Sequence, residues 1–445
     1  MQSNGTGGRV DRRTLLKLSG MGLVGGLAGC LEDSESTPTS GDSGSGGESG
    51  GGDSTDAETA TESEGDSGGQ GSYTIGMVDA LTGSLAPYGK RNQRGKDLAL
   101  EAINEVGIGS ESGQLSISVE DSESSNQSGV TAAQKLVEQD GVPLFIGAVG
   151  SGVSIAMYDS VTEGSGVVQI SQNSTSPELT TRPGLMRTSP SGSAKGQALA
   201  QFIADEGHDT VAVTWINNDY GTGLSEVFAE SFEGDVVFNE PHDQGQSSYS
   251  GTLTSMASTN ASAWLFLTYA NEMTVMANEA FDQGYNTNVD YYGAESTVAE
   301  EILANTPEGS LDGMKGITES APADQDNYKN FVSNFEEAYD STPTVWAAYA
   351  YDAVTISALA IEAADDFTGD ALNEVVRDVT RPEGEEVFSF EEAAAILRDG
   401  GSPSDVNYQG VSGPVDIDEN GDPPGLYQVY SVQDHSYEYG DYVTS

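Results

Sequence analysis

From residue 73 onward the apolar positions fall into a repeating cycle: a short β-branched run, a turn, then a longer run with apolar residues three and four apart. The short runs predict strands at 73–78, 114–120, 144–146, 167–170, 210–215, 236–238, 263–267 and 289–292. Helices are predicted between them at 92–106, 128–139, 153–163, 195–206, 224–232 and 271–283. In the first of these, Leu98, Ala99, Ala102, Ile103 and Val106 share one face. Strands that alternate with helices predict an α/β fold with parallel sheets covered on both faces. Right-handed crossovers then bring the C-terminal ends of the strands to one edge, where ligands bind.

The body is too long for one sheet, and turn formers interrupt the rhythm at 188–192 and 318–322. Two doubly wound lobes joined by crossing hinge strands are expected, the first from 72–190 and 320–411, the second from 191–319 and 412–445. A long helix is predicted at 346–364. Two further strands, at 411–418 and 426–432, flank the turn-rich stretch ENGDPPG at 419–425.

Before residue 71 the cycle is absent. Residues 1–30 hold Arg9, Arg12, Arg13 and Lys17 with one acid, Asp11, followed by a glycine-diluted apolar stretch at 15–28 that is too short to span a bilayer. The string DRRTLLK at 11–17 resembles a twin-arginine export signal, and LAGC at 27–30 resembles a lipobox. Cys30 is the only cysteine in the chain. It is expected to carry a lipid, and two acyl chains would anchor the protein stably to the extracytoplasmic face of the cell membrane. Residues 31–71 are Gly, Ser, Thr and acids with almost nothing apolar, an acidic linker that cannot build a core. About forty such residues reach roughly 35 Å, enough to hold a body off a membrane.

Charge narrows the function. The chain of 445 residues carries a formal net charge of −54, which excludes a phosphate-backbone partner, so no nucleic acid is expected. The acidic excess runs throughout, and it would repel itself at 0.1 M salt, where screening extends about 10 Å, far more than at 1 M, where it extends about 3 Å. A salt-loving protein is expected. A single cysteine excludes an internal disulfide, and His208, His242 and His435 lack metal-ligand spacing, so neither metal nor cofactor is expected. No nucleophile elbow, phosphate-binding glycine loop or zinc-protease helix occurs, which argues against an enzyme.

Several predicted strands instead run into loops of neutral donors. VGSG at 149–152 opens a helix and offers the Ser151 hydroxyl with backbone N–H groups, a pattern that suits a carboxylate or simply caps the helix. SQNSTSPEL at 171–179 offers more hydroxyls. Tyr269 follows the strand at 263–267, and Glu295 follows the strand at 289–292, where a carboxylate suits an ammonium group.

Together these strings resemble the binding proteins of ABC transporters for branched-chain amino acids, the leucine/isoleucine/valine receptors, over nearly all of 72–432. The matching strings are LTGSLAPYG at 81–89, FIG at 145–147, STSPEL at 174–179, Arg187 with Thr188, NDYGTGL at 218–224, AYAYDA at 348–353 and GVSGPV at 410–415. The resemblance implies the type I periplasmic-binding fold and a receptor that closes its lobes on an amino acid and delivers it to ABC permease and ATPase subunits. It implies that Ser151 and Thr175 take the ligand carboxylate, that Tyr269 and Glu295 hold the ammonium, and that Tyr88 and Tyr220 line the side-chain pocket. Asn173 stands where leucine receptors carry a small apolar residue and adds a polar side chain to the carboxylate site; Gly150 replaces a bulkier one. Amide, urea or aromatic-acid ligands, or a sensor built on the same body, are the alternatives.

Overall fold

The computed structural model describes residues 71–109 and 113–443. The export signal at 1–30, the lipid site at Cys30 and the linker up to residue 70 lie outside the described residues. The body is α/β. A first sheet holds β1 (Ser72–Asp79), β2 (Gln114–Asp121), β3 (Leu144–Gly147), β4 (Val168–Ser171) and β5 (Leu185–Arg187), all parallel, in the order β2-β1-β3-β4-β5. A second holds β6 (Thr210–Ile216), β7 (Asp235–His242), β8 (Ala263–Leu267), β9 (Asp290–Gly293) and β10 (Lys315–Glu319). After a small three-stranded sheet of β11 (Glu385–Val387), β12 (Val406–Gly410) and β13 (Gly413–Pro414), the chain adds β14 (Tyr427–Gln433) and β15 (Ser436–Val443) antiparallel at one edge of the second sheet. Its order is β15-β14-β10-β9-β8-β6-β7. In each parallel set the strand order reverses once, between β1 and β3 and between β6 and β8. Crevices for ligands open at such points beyond the strand C-terminal ends.

Each sheet is buried on both faces, which is why its strands read as short continuous apolar runs. One face of the first sheet packs Ile75, Met77, Ile146 and Ile170 against the helices Ala86–Val106 and Val345–Ala363. The second helix is apolar all round because it is enclosed all round, from Trp346 to Ile361. The two cross closely at Gly95, where a Cβ would lie 2.0 Å from the Ala347 carbonyl oxygen. The second sheet is sandwiched between a cluster containing Leu199, Ile203, Val213 and Leu265 and another containing Trp264, Phe266, Met273 and Met276.

The return to the second lobe comes later than residue 412. Val415 and Ile417 are buried in the core of the first lobe, and 411–418 is irregular apart from β13 rather than one strand. The cause is Asp352, buried in the long helix, whose carboxylate accepts from the Val411 and Ser412 N–H groups (2.9 Å each) and from the Tyr408 hydroxyl (2.8 Å). Backbone donors satisfied in this way have no need of a strand partner. Gly410 admits the carboxylate, since a Cβ there would sit 2.4 Å from Asp352 Oδ2. The connections between lobes run side by side: Ser320 N–H donates to the Leu426 carbonyl (2.9 Å), and the Tyr427 hydroxyl donates to the Ser191 carbonyl (2.9 Å). Strands β5, β10, β11, β12 and β15 escaped the sequence pattern. The first four are short, and β15 is an exposed edge strand of alternating tyrosines and acids.

Candidate functional site

Between the lobes lies a cavity with about 410 Å³ of empty space. Ser151, Asn173, Thr175, Tyr269, Glu295, Tyr88 and Tyr220 all line it, together with Leu85, Val149, Ser296 and Trp346, which the sequence did not single out. All but Trp346 follow strand C-terminal ends, so the topology gathers them although they are scattered over the chain.

The first lobe contributes neutral polar groups on a loop that is held firmly. Ser171 Oγ donates to the Ala148 carbonyl (2.9 Å) and accepts from Ser174 N–H (3.0 Å). Ser151 Oγ accepts from Ser176 N–H (3.2 Å), which ties the two donor loops together. Beneath them Arg187, fully buried, donates to the carbonyls of Ser174 (3.2 Å) and Ser176 (2.9 Å) and pairs with Asp422 Oδ1 (2.7 Å). Thr175 is thereby fixed at the cavity wall. Asn173 is buried, and its Oδ1 has no partner among the described residues.

The second lobe presents aromatics and charge. Tyr220 and Tyr269 stack with centroids 5.4 Å apart and planes at 17°. Ser296 Oγ donates to the Thr268 carbonyl (2.7 Å), so the Tyr220 hydroxyl 2.8 Å away donates to Ser296. Asn218, which also caps the helix Asp219–Ser231, donates to the Tyr269 hydroxyl (3.2 Å) and leaves that hydroxyl's proton and one lone pair for the cavity. Burial pushes the hydroxyls of Tyr88, Tyr220 and Tyr269 above their ordinary range, so all three remain protonated.

Glu295 is not alone. Its Oε2 lies 2.5 Å from Lys195 Nζ, which also pairs with Glu319 Oε1 at 2.8 Å. The side chains of Lys195 and Glu319 are fully buried and that of Glu295 keeps 5% exposure. Burial would lower the Lys195 ammonium, but the two carboxylates outweigh it and raise it. Burial raises the Glu319 carboxyl, against the pull of Lys195. Neither Lys195 nor Glu319 figured among the candidates. The one signal available was the rarity of a base in so acidic a chain, at the start of the helix that opens the second lobe.

The lobes touch across the mouth. Arg91 of the first reaches both oxygens of Glu301 in the second (3.2 and 3.1 Å), Gln244 donates to Ser84 Oγ (2.7 Å), and the Tyr88 hydroxyl donates to the Ser296 carbonyl (3.2 Å). Gly152 admits the Asp219 carboxylate, which would lie 2.5 Å from a Cβ there. This is a closed arrangement.

Residues 72–420 match a family model described as periplasmic binding protein. The chain is 26% identical over 309 residues to the leucine-, isoleucine-, valine-, threonine-, and alanine-binding protein of Pseudomonas aeruginosa, covering 68% of this chain and 81% of that one. It is 26% identical over 245 residues to Leu/Ile/Val-binding protein homolog 3 of Brucella melitensis, and there the match spans 52% of this chain and 66% of the relative, just under two thirds. Among solved structures, the branched-chain amino acid transporter substrate binding protein LivJ of Streptococcus pneumoniae in complex with isoleucine superposes with a TM-score of 0.71 at 22% identity, over 84% of this chain and 99% of that one. At that identity the likeness is one of fold, the type I periplasmic binding architecture.

Proposed function

The chain belongs to the periplasmic binding protein family, and from that premise we propose that it is the extracytoplasmic receptor of an ABC importer, closing on a branched-chain or related amino acid. The observation that carries this reading is the polarity of one interlobe cavity, with neutral donors on the first lobe and Glu295 on the second. A zwitterion fits that polarity. Ser151, Thr175 and the amide of Asn173 take its carboxylate. Glu295 and the free lone pair of Tyr269 take its ammonium, and Leu85, Tyr88, Tyr220 and Trp346 surround the side chain. Because the two ends of the ligand are met by different lobes, only the closed form makes both sets of contacts, and binding shifts the open–closed equilibrium. The closed form then docks on permease and ATPase subunits. In the same reading Cys30 carries a lipid and residues 31–71 tether the body to the outer face of the membrane.

Calorimetric titration in multimolar KCl with L-leucine, L-isoleucine and L-valine tests the ligand class. Glu295→Gln is expected to weaken the best of them by about 2–3 kcal/mol, the worth of a hydrogen bond to a charged partner with its desolvation. Unchanged affinity would remove Glu295 from the site. A second reading, a carboxylic acid or amide without an ammonium, is favoured by one feature, the pairing of Glu295 with Lys195. Tighter binding of 4-methylpentanoate than of L-leucine would establish it.

A further inference from the structure

The second-lobe end of the cavity holds more charge than one ammonium acceptor requires. Glu295 comes from the turn after β9, Lys195 from the helix Gly192–Asp205 and Glu319 from the end of β10. They form a row in which Lys195 Nζ stands 2.5 Å from Glu295 Oε2 and 2.8 Å from Glu319 Oε1. The groups that face Glu319 from the surrounding elements are Lys195, Glu295, and the hydroxyls of Tyr220, Tyr349 and Tyr427, which burial keeps protonated and uncharged. Two carboxylates and one ammonium leave the row one positive charge short. A buried charge without a counterpart is strongly unfavourable, so the empty site has to gain a cation or hold a proton. Only Glu295 of the three lines the cavity. Lys195 stands beside its Oε2, and the same carboxylate faces the cavity.

Resting on the amino-acid reading above, we propose that Lys195 and Glu319 set the specificity for a ligand with one ammonium group: the ligand's cation becomes the fourth member of an alternating row, ammonium, Glu295, Lys195, Glu319, and the proton that Glu319 holds in the empty site leaves to solvent as the ligand arrives. The row then sums to zero. In the empty site, burial together with the negative charge of Glu295 raises the Glu319 carboxyl to about 7, against the pull of Lys195. A cation beside Glu295 offsets that charge and lets Glu319 ionise. A ligand without an ammonium leaves the row unbalanced and releases nothing. Glu319 does not line the cavity and acts through Lys195, which it shares with Glu295.

Calorimetry of the intact protein with L-leucine in two buffers of different ionisation enthalpy counts the protons. About one proton is expected to be released per L-leucine at pH 6 and about none at pH 8.5, the behaviour of a group titrating between them. Glu319→Gln is expected to release none at pH 6 and, at pH 8, to bind L-leucine at least about tenfold more weakly, because the ligand then completes a row with a net positive charge. L-leucine bound at pH 6 without proton exchange would overturn the inference, as would equal affinity of Glu319→Gln at pH 8. Where the variant fails to fold, the proton count on the unmodified protein decides alone. No binding of L-leucine, L-isoleucine or L-valine would instead remove the amino-acid reading and the inference with it.

Discussion

Replacing Arg187 with methionine tests how the first-lobe donors are held. The guanidinium is fully buried and has four partners: Asp422 Oδ1 at 2.7 Å, the carbonyls of Ser174 and Ser176 at 3.2 and 2.9 Å, and Thr180 Oγ1 at 3.0 Å. Asp422 belongs to the last crossing segment, so this one side chain joins the donor loop to the connection between lobes. Methionine fills much of the stem's volume but leaves the Asp422 carboxylate, whose side chain is 13% exposed, without its cation, and takes one of two donors from each carbonyl, which keep Ser189 Oγ (3.1 Å) and Leu179 N–H (3.2 Å). Removing one partner of a buried ion pair costs about 3–5 kcal/mol, and the carbonyl losses overlap with that figure rather than add to it. In a body of this size each kcal/mol moves the melting temperature by about 2 °C, so a fall of about 6–10 °C is expected. Asp422→Asn leaves the fully buried guanidinium without its counter-charge, with only neutral acceptors around it, and is expected to cost a similar amount, about 3–5 kcal/mol. Differential scanning calorimetry in multimolar KCl compares the two variants. Arg187→Met melting within about 2 °C of the unmodified protein would refute the account of Arg187 as the support of the Ser174–Ser176 loop.

Other expectations follow from contacts elsewhere. Arg91→Ala removes the partly exposed bidentate contact to Glu301 that closes the mouth; at about 0.5–1 kcal/mol it should weaken ligand binding about two- to fivefold, mostly through faster release, and the difference should shrink in high salt. An unchanged dissociation rate by stopped flow would dismiss it as a latch. Burial raises Asp352 to about 6 despite its hydrogen bonds to Ser412 and Tyr408. A carboxyl with a raised folded-state value stabilises fully below its unfolded value near 4 and loses that contribution as pH rises through 6, so stability should fall by up to about 3 kcal/mol across this window through Asp352. The pH slope of urea unfolding should flatten in Asp352→Asn, and an identical slope would contradict the assignment. The net charge of −54 predicts that the melting temperature climbs steadily between 0.1 M and about 3 M KCl as screening shortens; a melting temperature indifferent to KCl would reject the salt-loving reading.

The alternation of strand and helix was legible because both periods are local: nine of the strands and most of the longer helices stand within a few residues of their expected places. The site was legible for a related reason. Once parallel strands are granted, the residues just past their C-terminal ends must converge, and Ser151, Thr175, Tyr269 and Glu295 each follow such an end. The misplaced return at 412 has an equally physical origin. The segment carries β-branched Val411, Val415 and Ile417, as a strand would, but the Val411 and Ser412 N–H groups are claimed by Asp352, some sixty residues earlier in the chain, and the Ile417 N–H by Thr380.

Composition and local pattern alone settle the α/β class, the net negative charge and the positions of the loops that line the cavity, since each depends on neighbouring residues or on totals. The tertiary structure alone decides which charges meet. Lys195 finds Glu319 across 124 residues of chain, on an element the sequence pattern did not reveal, and no period or motif encodes that distance. Whether Glu295 is a free carboxylate or one member of a buried row is therefore fixed by how the crossovers bring β9, β10 and the helix Gly192–Asp205 together. At the short separations found there, one buried cation pairs with two acids and pulls against the rise that burial gives the Glu319 carboxyl.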